Sequence, residues 1–431
     1  MLMTFFGKMV CPTGVAGSRL GSTPRAFTVA VAVGSGVILS GCTSTVGAHD
    51  LPSSDASLSA DHATDLDGSA VSDVRRLAEA SIVDGPSIDG SDRVDAKNAS
   101  DASPAFDRDA VKAIVTAVAE YQLSLYTTTA SNDWIDSTFY AGLMAAYRTT
   151  AKTSFLAAGK AWGAAHQWDL HPGDARYADN QACTQTYLEI FETDATPSNS
   201  VMYERARAAF DAMIAAPKAG RVEWYWCDAL FMAPPALARV GASVKQTQYF
   251  DFMNTLYWDS KDFLYSPANA LFFRDKNFFG TDTFWARGNG WVIAGIARIL
   301  DYLPADDPHH NDFVRLLEDM SAALANAQDP KDGLWRSNLL HPEAFPNPET
   351  SGSGLFTFAL AWGITHGVLD RATYLPVVKS AWEGLTHAVN ADGRLGYVQD
   401  VADSPAAAGA TETHPFGVGA FLLAGSEVVR L

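Results

Sequence analysis

The feature that most limits what this chain can fold into is a weak internal repeat. Between Phe106 and Leu431, apolar residues recur at helical spacing in about twelve segments of roughly 14 to 20 residues, separated by loops that often carry Gly, Pro, Asp or Asn. The spans are 107–125, 136–150, 153–167, 179–193, 199–216, 227–240, 244–258, 286–302, 308–328, 352–368, 372–389 and 416–429. After several odd-numbered segments comes a short turn with an aromatic residue or leucine, as in Asp262-Phe263-Leu264-Tyr265, Asp332-Gly333-Leu334-Trp335 and Asp392-Gly393-Arg394-Leu395. A period near 50 residues means stacked helical hairpins, because one hairpin alone cannot bury its apolar face. The predicted fold is therefore all-α, with six hairpins closing into an (α/α)6 barrel. Even-numbered segments are read as the inner wall. They carry the small residues suited to a crowded axis, among them Ser353, Gly354, Ala359, Ala361 and Gly363, or Gly417, Gly419, Ala420 and Ala424. An open helical solenoid is the alternative, although solenoid repeats usually show a stronger period.

Residues before Phe106 do not belong to that repeat. Lys8, Arg19 and Arg25 precede an apolar run from Ala26 to Leu39, and Leu39-Ser40-Gly41-Cys42 follows. This is the order of an export signal, with the tetrad resembling a lipobox. Residues 1–41 are expected to be a lipoprotein signal peptide and Cys42 the site of lipidation, which would hold the protein at a bacterial membrane. An uncleaved transmembrane helix fits less well, since the apolar run is shorter than the ~20 residues a span needs. Thr43 is not the aspartate that often retains lipoproteins at the inner membrane, so export to the outer membrane or its periplasmic face is expected. Residues 42–105 are rich in Asp, Ser, Ala and Gly and poor in aromatics, a composition that buries no core and reads as a flexible linker. That leaves 106–431 as one large domain.

The formal net charge of -18 argues against nucleic acid, which needs a basic footprint. An anionic ligand would have to be met by local cations. Of the four cysteines, Cys11 falls in the signal and Cys42 is the acylation site, so only Cys183 and Cys227 remain and no disulfide scaffold is built.

Unusual residues gather at the starts of the even-numbered segments: Asp136, Asp179, Asp228, Arg287, Glu349 and His414. In a closed barrel those starts share one rim, and convergent polar groups in an aromatic pocket are the default site. Simple helix capping is the competing role, most strongly for Asp136 and Glu349. Asp228 stands in Glu223-Trp224-Tyr225-Trp226-Cys227-Asp228-Ala229-Leu230-Phe231-Met232, a carboxylate among large apolar side chains whose pKa should rise, as a general acid requires. Asp179, in Tyr177-Ala178-Asp179-Asn180-Gln181, starts the preceding inner helix; a facing carboxylate would push one of the two pKa values up further. Trp285-Ala286-Arg287-Gly288-Asn289-Gly290-Trp291 places a guanidinium between two indoles, suited to a carboxylate and a sugar face, and Arg274 and Lys276 add charge nearby. The alternative makes the tryptophans core and Arg287 an internal partner.

These segments resemble the unsaturated glucuronyl and rhamnogalacturonyl hydrolases, glycoside hydrolase families 105 and 88, most closely family 105. The resemblance covers the whole helical region and rests on Trp226-Cys227-Asp228-Ala229-Leu230-Phe231-Met232, the Trp285 to Trp291 motif, Glu349-Thr350-Ser351-Gly352-Ser353-Gly354, and Gly417-Val418-Gly419-Ala420-Phe421-Leu422-Leu423-Ala424. It implies a six-hairpin barrel and removal of a uronic acid with a C4=C5 double bond from an oligosaccharide end, by protonation of C4 and addition of water at C5. It further implies Asp228 as acid/base, Asp179 as its partner, and substrate contacts at Trp226, Trp285, Arg287 and Trp291; no cofactor is implied. Where rhamnogalacturonyl members carry a histidine before the Arg motif, this chain reads Leu271-Phe272-Phe273-Arg274-Asp275-Lys276. Arg274 is expected to supply a second contact to the carboxylate or to an acidic neighbour, and His414 to line the same site.

Rival readings remain at this point. Sugar epimerases on the same barrel need paired histidines, and of ten histidines only His414 lies at an inner start. A conventional inverting glycosidase needs two carboxyls about 6.5–9.5 Å apart. Cys183, Cys227 and His414 could together bind zinc, or the two cysteines could form a disulfide, against the plainer reading of cysteine as core filler. A surface lipoprotein that only captures acidic oligosaccharides would keep Arg287 and its tryptophans without needing Asp228.

Overall fold

In the computed structural model, residues 106–218 and 221–431 are described. The expected signal, Cys42 and the linker lie outside them. The apolar segments of the repeat form helices that pair in sequence: α1 (Arg108–Leu125) with α2 (Trp134–Thr150), α3 (Thr153–Ala165) with α4 (Ala178–Gln181) and α5 (Cys183–Thr193), α6 (Val201–Ala215) with α7 (Ala229–Met232) and α8 (Pro234–Val244), α9 (Gln248–Leu264) with α10 (Ala286–Leu300), α11 (His310–Ala327) with α12 (Thr350–Thr365), and α13 (Arg371–His387) with α14 (Pro415–Val428).

Burial separates the two layers. The outer helix α11 buries one stripe, Phe313, Leu316, Leu317, Met320, Ser321 and Leu324, whereas α12 buries every residue from Thr350 to Ile364. The inner helices form a closed ring: α2 packs on α5, α5 on α8, α7 and α8 on α10, α10 on α12, α12 on α14, and α14 back on α2. That last contact closes the barrel and excludes an open solenoid. It depends on two glycines, because a Cβ on Gly142 would stand 2.5 Å from the Gly419 carbonyl oxygen and one on Gly419 would overlap the Thr138 carbonyl. No described helix is long and apolar enough to cross a membrane.

Two inner segments expected to be continuous are broken. Span 179–193 divides at Ala182 into α4 and α5, and span 227–240 divides at Ala233 into α7 and α8. Pro234 and Pro235 supply no N–H, so the carbonyls one turn earlier lose their helical donors. Gln185 from the neighbouring inner helix replaces the donor missing at Phe231 and also serves Met232, its Nε2 donating to those two carbonyls at 2.7 and 3.2 Å. The break leaves Asp228 at the head of a four-residue helix rather than inside a long one. The expected turn at Asp262 to Tyr265 is instead the last turn of α9, which runs into a two-stranded antiparallel hairpin, β1 (Tyr265–Ser266) and β2 (Leu271–Phe272).

At the C-terminal ends of the inner helices lies a charge cluster that sequence reasoning missed. Glu189 on α5 pairs with Arg298 of α10, Arg239 of α8 (3.1 Å) and Arg148 of α2 (3.0 Å). Its carboxyl is fully buried, which opposes ionisation, yet the three guanidinia hold it at about 2.

Candidate active site

The N-terminal ends of the inner helices face the opposite rim. Asp179 is the second residue of α4 and Asp228 the residue before α7, so the two helix breaks set both carboxyls at this rim. Asp228 is 9 % exposed, and burial raises its pKa, opposed first by Arg274, whose Nε stands 3.4 Å from Oδ2. Burial likewise raises Asp179, and the neighbouring Asp228 charge adds to it, giving about 7; Arg274 and the Tyr177 hydroxyl pull the other way. Both carboxyls are thus raised by burial and opposed by Arg274. The Cys227 thiol contacts Asp228 Oδ2 at 3.6 Å and, pushed well above its usual pKa by burial and by Asp228, stays protonated.

The loop carrying Asp228 is tied to the hairpin. The Cys227 N–H donates to the Arg274 carbonyl at 2.8 Å. Asn289, on the first turn of α10, accepts from the Phe272 N–H at 2.7 Å and donates to the Phe272 carbonyl at 3.0 Å. One amide thereby holds β2, and through it Arg274, against the helix that begins with the Trp-Ala-Arg motif. Arg274 also donates to Asp275 at 2.7 Å, so its guanidinium is shared between two carboxylates.

Arg287 corrects a further expectation. It is fully buried, with Nη1 and Nη2 donating to the Gln399 and Asp400 carbonyls at 2.7 and 2.8 Å, and its plane lies over Trp285 (4.5 Å) and Phe416 (4.7 Å). The fork expected to face a ligand carboxylate clasps the loop after α13 instead. Trp285 Nε1 donates to Gln399 Oε1 at 3.0 Å, and Trp291 packs edge-on to Trp134 and against Phe231. Both indoles are buried, which leaves little face for a sugar. What remains unsatisfied is Nε of Arg274 and of Arg287: neither has a hydrogen-bond acceptor in the protein, although buried donors are nearly always paired.

The exposed aromatic surface lies elsewhere on the rim. Trp226 is buried, but Tyr177 stacks on it at 4.9 Å and Tyr225 packs at 4.6 Å, and both tyrosines are partly exposed. Sequence reasoning quoted these tyrosines without giving them a role; their positions beside Asp179 and Asp228 were the available signal. His414 precedes α14, stacks on Phe416, and pairs with Asp400 at 3.2 Å through Nε2. Burial holds its pKa below the usual value, against the opposing charge of Asp400.

Two rim acids are structural. Glu349 caps α12, accepting from the Ser351 and Gly352 N–H groups at 3.0 and 2.7 Å. Asp136 is not the cap of α2, a place taken by Asp133; its oxygens accept from the Tyr126 hydroxyl at 2.5 Å and the Ser131 N–H at 3.0 Å. Cys183 contacts the Asp169 and Asn180 carbonyls and Cys227 contacts Asp228, so the two are separate free thiols. The zinc grouping of these cysteines with His414 does not assemble, and no cluster of three or more metal-ligating side chains occurs among the described residues.

Two carboxyls with raised pKa values, Asp228 buried and Asp179 partly buried, stand beside aromatic rings at one end of a closed helical barrel, an arrangement suited to acid–base chemistry on a sugar. Residues 108–431 match Glycosyl Hydrolase Family 88 and the chain belongs to that family, one of the two that its motifs resemble. An unsaturated 3S-rhamnoglycuronyl hydrolase of Formosa agariphila is 39% identical over 325 residues, covering 70% of this chain and 85% of that protein. A hydrolase of the same name from an Alteromonas species is 32% identical over 322 residues, covering 69% and 77%. The solved structure of a family 88 glycosyl hydrolase from Bacteroides vulgatus superposes with a TM-score of 0.71 at 28% identity, covering 75% of this chain and 99% of that one. The chain is thus a glycoside hydrolase, and the reading as a purely capturing surface protein falls away.

Proposed function

We propose that this enzyme removes a Δ4,5-unsaturated uronic acid from the non-reducing end of oligosaccharides left by a polysaccharide lyase, by hydrating the ring alkene. The observation that carries this reading is the Asp179–Asp228 pair at the barrel rim, in which burial raises both carboxyls and the Asp228 charge raises Asp179 further, to about 7. Support comes from the relatives named for unsaturated rhamnoglycuronyl substrates.

The ring oxygen makes the C4=C5 bond a vinyl ether. Asp228 delivers its proton to C4, and the positive charge that develops at C5 is shared with the ring oxygen. Water adds to C5 and returns one proton to the carboxyl pair. The resulting hemiketal opens to a C5 ketone, and the C1 hemiacetal releases the remaining sugar as an alcohol, leaving an aldehyde. The sum is one water consumed, with no net change in the protein. Arg274 opposes protonation of Asp228. A uronate carboxylate competing with Asp228 for Arg274, and accepting from Nε of Arg274 or Arg287, neither of which has a hydrogen-bond acceptor in the protein, relieves that opposition and leaves Asp228 ready to be protonated. Arg287, with Trp285, positions the Gln399–Asp400 loop at the rim, and Tyr177, Tyr225 and His414 are left to contact the sugars. We also propose export and anchoring through Cys42, which acid-stable labelling of the expressed full chain with a radioactive fatty acid, lost in Cys42→Ser, would test.

Asp228→Asn keeps the shape and removes the acid. Turnover of a lyase-generated disaccharide, followed at the ultraviolet band of the unsaturated uronate, should fall by about 10³-fold or more, while binding measured by calorimetry stays within a few-fold. A variant that retains a tenth of the rate would remove Asp228 from the mechanism.

A further inference from the structure

Asp179 and Asp228 act as a pair, yet they come from different hairpins and each stands at the start of a helix of only four residues. Something must fix the distance between them. The two loops that carry them meet at two points. In the first, Arg176, three residues before Asp179, donates from Nε and Nη2 to Glu223 Oε1 at 2.6 and 2.5 Å, and from Nη2 to the Ala216 carbonyl at 3.1 Å. In the second, the Tyr177 ring stacks on Trp226 at 4.9 Å. Glu223 lies five residues before Asp228 and Trp226 two, so adjacent residues of one loop grip residues three apart on the other.

Both loops are fastened behind these contacts. Gln181 Nε2 donates to the Ala175 carbonyl at 2.7 Å and Asn180 Nδ2 to the Asp174 carbonyl at 2.9 Å, which folds the Arg176 loop back onto α4. The Ser260 hydroxyl of α9 donates to the Trp224 carbonyl at 2.5 Å, next to Glu223. A buried ion pair does not by itself stabilise a fold, because lost hydration offsets the attraction. This one is poorly made for that purpose, since both donors converge on Oε1 and the buried Oε2 has no hydrogen-bond partner. Nor does it work on the carboxyls by charge. The groups that bear most on Asp179 are Asp228, Arg274, Tyr177 and Asp133, and on Asp228 they are Arg274, Arg287 and Cys227; neither Arg176 nor Glu223 is among them. What the pair supplies is position.

We infer that Arg176 and Glu223 are positioning residues that hold the Asp179 loop against the Asp228 loop and so set the separation of the two carboxyls. The inference rests on the functional reading above, in which that carboxyl pair supplies and recovers the proton. Separation matters twice. A reacting group displaced by about 1 Å can lose on the order of 10²-fold in rate. The Asp228 charge that helps to raise Asp179 also weakens with distance. A loosened pair should hold its last proton less tightly, so the fall in activity on the alkaline side should begin at lower pH.

The test follows turnover of a lyase-generated unsaturated disaccharide by the full chain between about pH 5 and pH 9. Arg176→Met/Glu223→Leu replaces the pair by apolar side chains of similar volume, a change that the stability of a fold usually tolerates. Its kcat should fall about tenfold or more with KM kept within about threefold, and its alkaline limb should move down by about half a pH unit or more. Glu223→Gln keeps Oε1 as the acceptor while removing the charge, and should retain most of the rate and the wild-type limb. Arg176→Lys keeps the charge without the planar fork and should show the same losses in milder form, which serves as the reading should the double variant not fold. A folded double variant, or Arg176→Lys in its absence, with wild-type kcat and an unmoved limb would overturn the inference, as would Glu223→Gln losing as much as the double variant. Those results would leave the hydrolase reading intact. An Asp228→Asn variant as fast as wild type would instead strike the functional reading, and the brace with it.

Discussion

Asp179→Asn should make the protein more stable and less active, and the gain should depend on pH. The Asp179 carboxyl titrates near 3.8 in an unfolded chain and at about 7 in the folded protein. That difference corresponds to roughly 4 kcal/mol, at about 1.4 kcal/mol per pH unit. The folded state binds the extra proton between those two values, so stability falls as pH rises through this window and the full cost is present only above about 7. Because the residue is partly exposed and its charge is coupled to Asp228, about 2 to 4 kcal/mol is the reasonable expectation for the part that asparagine removes. Urea unfolding of wild type and Asp179→Asn, at about pH 4.5 and pH 8, measures it directly. The variant should be nearly equal to wild type in acid and about 2 to 4 kcal/mol more stable at pH 8, with kcat reduced. Equal differences at both pH values, or a variant less stable than wild type at pH 8, would refute the claim that this carboxyl is held protonated by its surroundings.

Other perturbations separate the roles of buried charge. Glu189→Gln leaves Arg148, Arg239 and Arg298 facing one another without their shared anion, and should lower stability by about 3 to 5 kcal/mol in guanidinium unfolding at neutral pH. Since the folded carboxyl titrates at about 2 against 4.5 unfolded, the contribution of Glu189 is complete above 4.5 and is lost as pH falls toward 2, so the variant and wild type should converge in strong acid. Arg287→Lys keeps a charge but cannot fork onto both the Gln399 and Asp400 carbonyls; amide hydrogen exchange in the loop from Tyr397 to Ala406 should speed up by an amount equivalent to about 1 to 3 kcal/mol.

Much of the architecture was legible because it is periodic. Apolar spacing located the helices, and small residues marked the inner wall, with Gly142 and Gly419 supplying the contact that closes the ring. The breaks at Ala182 and Ala233 were not anticipated. Pro234 and Pro235 were visible, but the compensating donor is Gln185, 46 residues from the Phe231 carbonyl it serves, and no local pattern announces such a partner. The carboxyls of the site stood out for a similar local reason, being acids set among aromatic residues at inner-helix starts. What those acids and the arginines touch was hidden. Arg287 meets carbonyls 112 and 113 residues away, and Arg298 meets Glu189 across 109, so burial decided between a ligand-facing fork and an internal clasp. Tyr177 and Tyr225 were overlooked in favour of the tryptophans for the opposite reason: the larger rings went into the core, and the smaller ones, with a hydroxyl to solvate, stayed at the surface.

The central claim is that the alkene of the substrate, not its glycosidic carbon, receives the enzyme's proton. Release of the second sugar from an unsaturated uronyl disaccharide, compared with release from the same disaccharide saturated at C4–C5, addresses it most directly. Hydration predicts that only the unsaturated compound is cleaved, its ultraviolet absorbance vanishing in step with sugar release. Cleavage of the saturated compound at a comparable rate would contradict the account and return the Asp179–Asp228 pair to the work of an ordinary glycosidase.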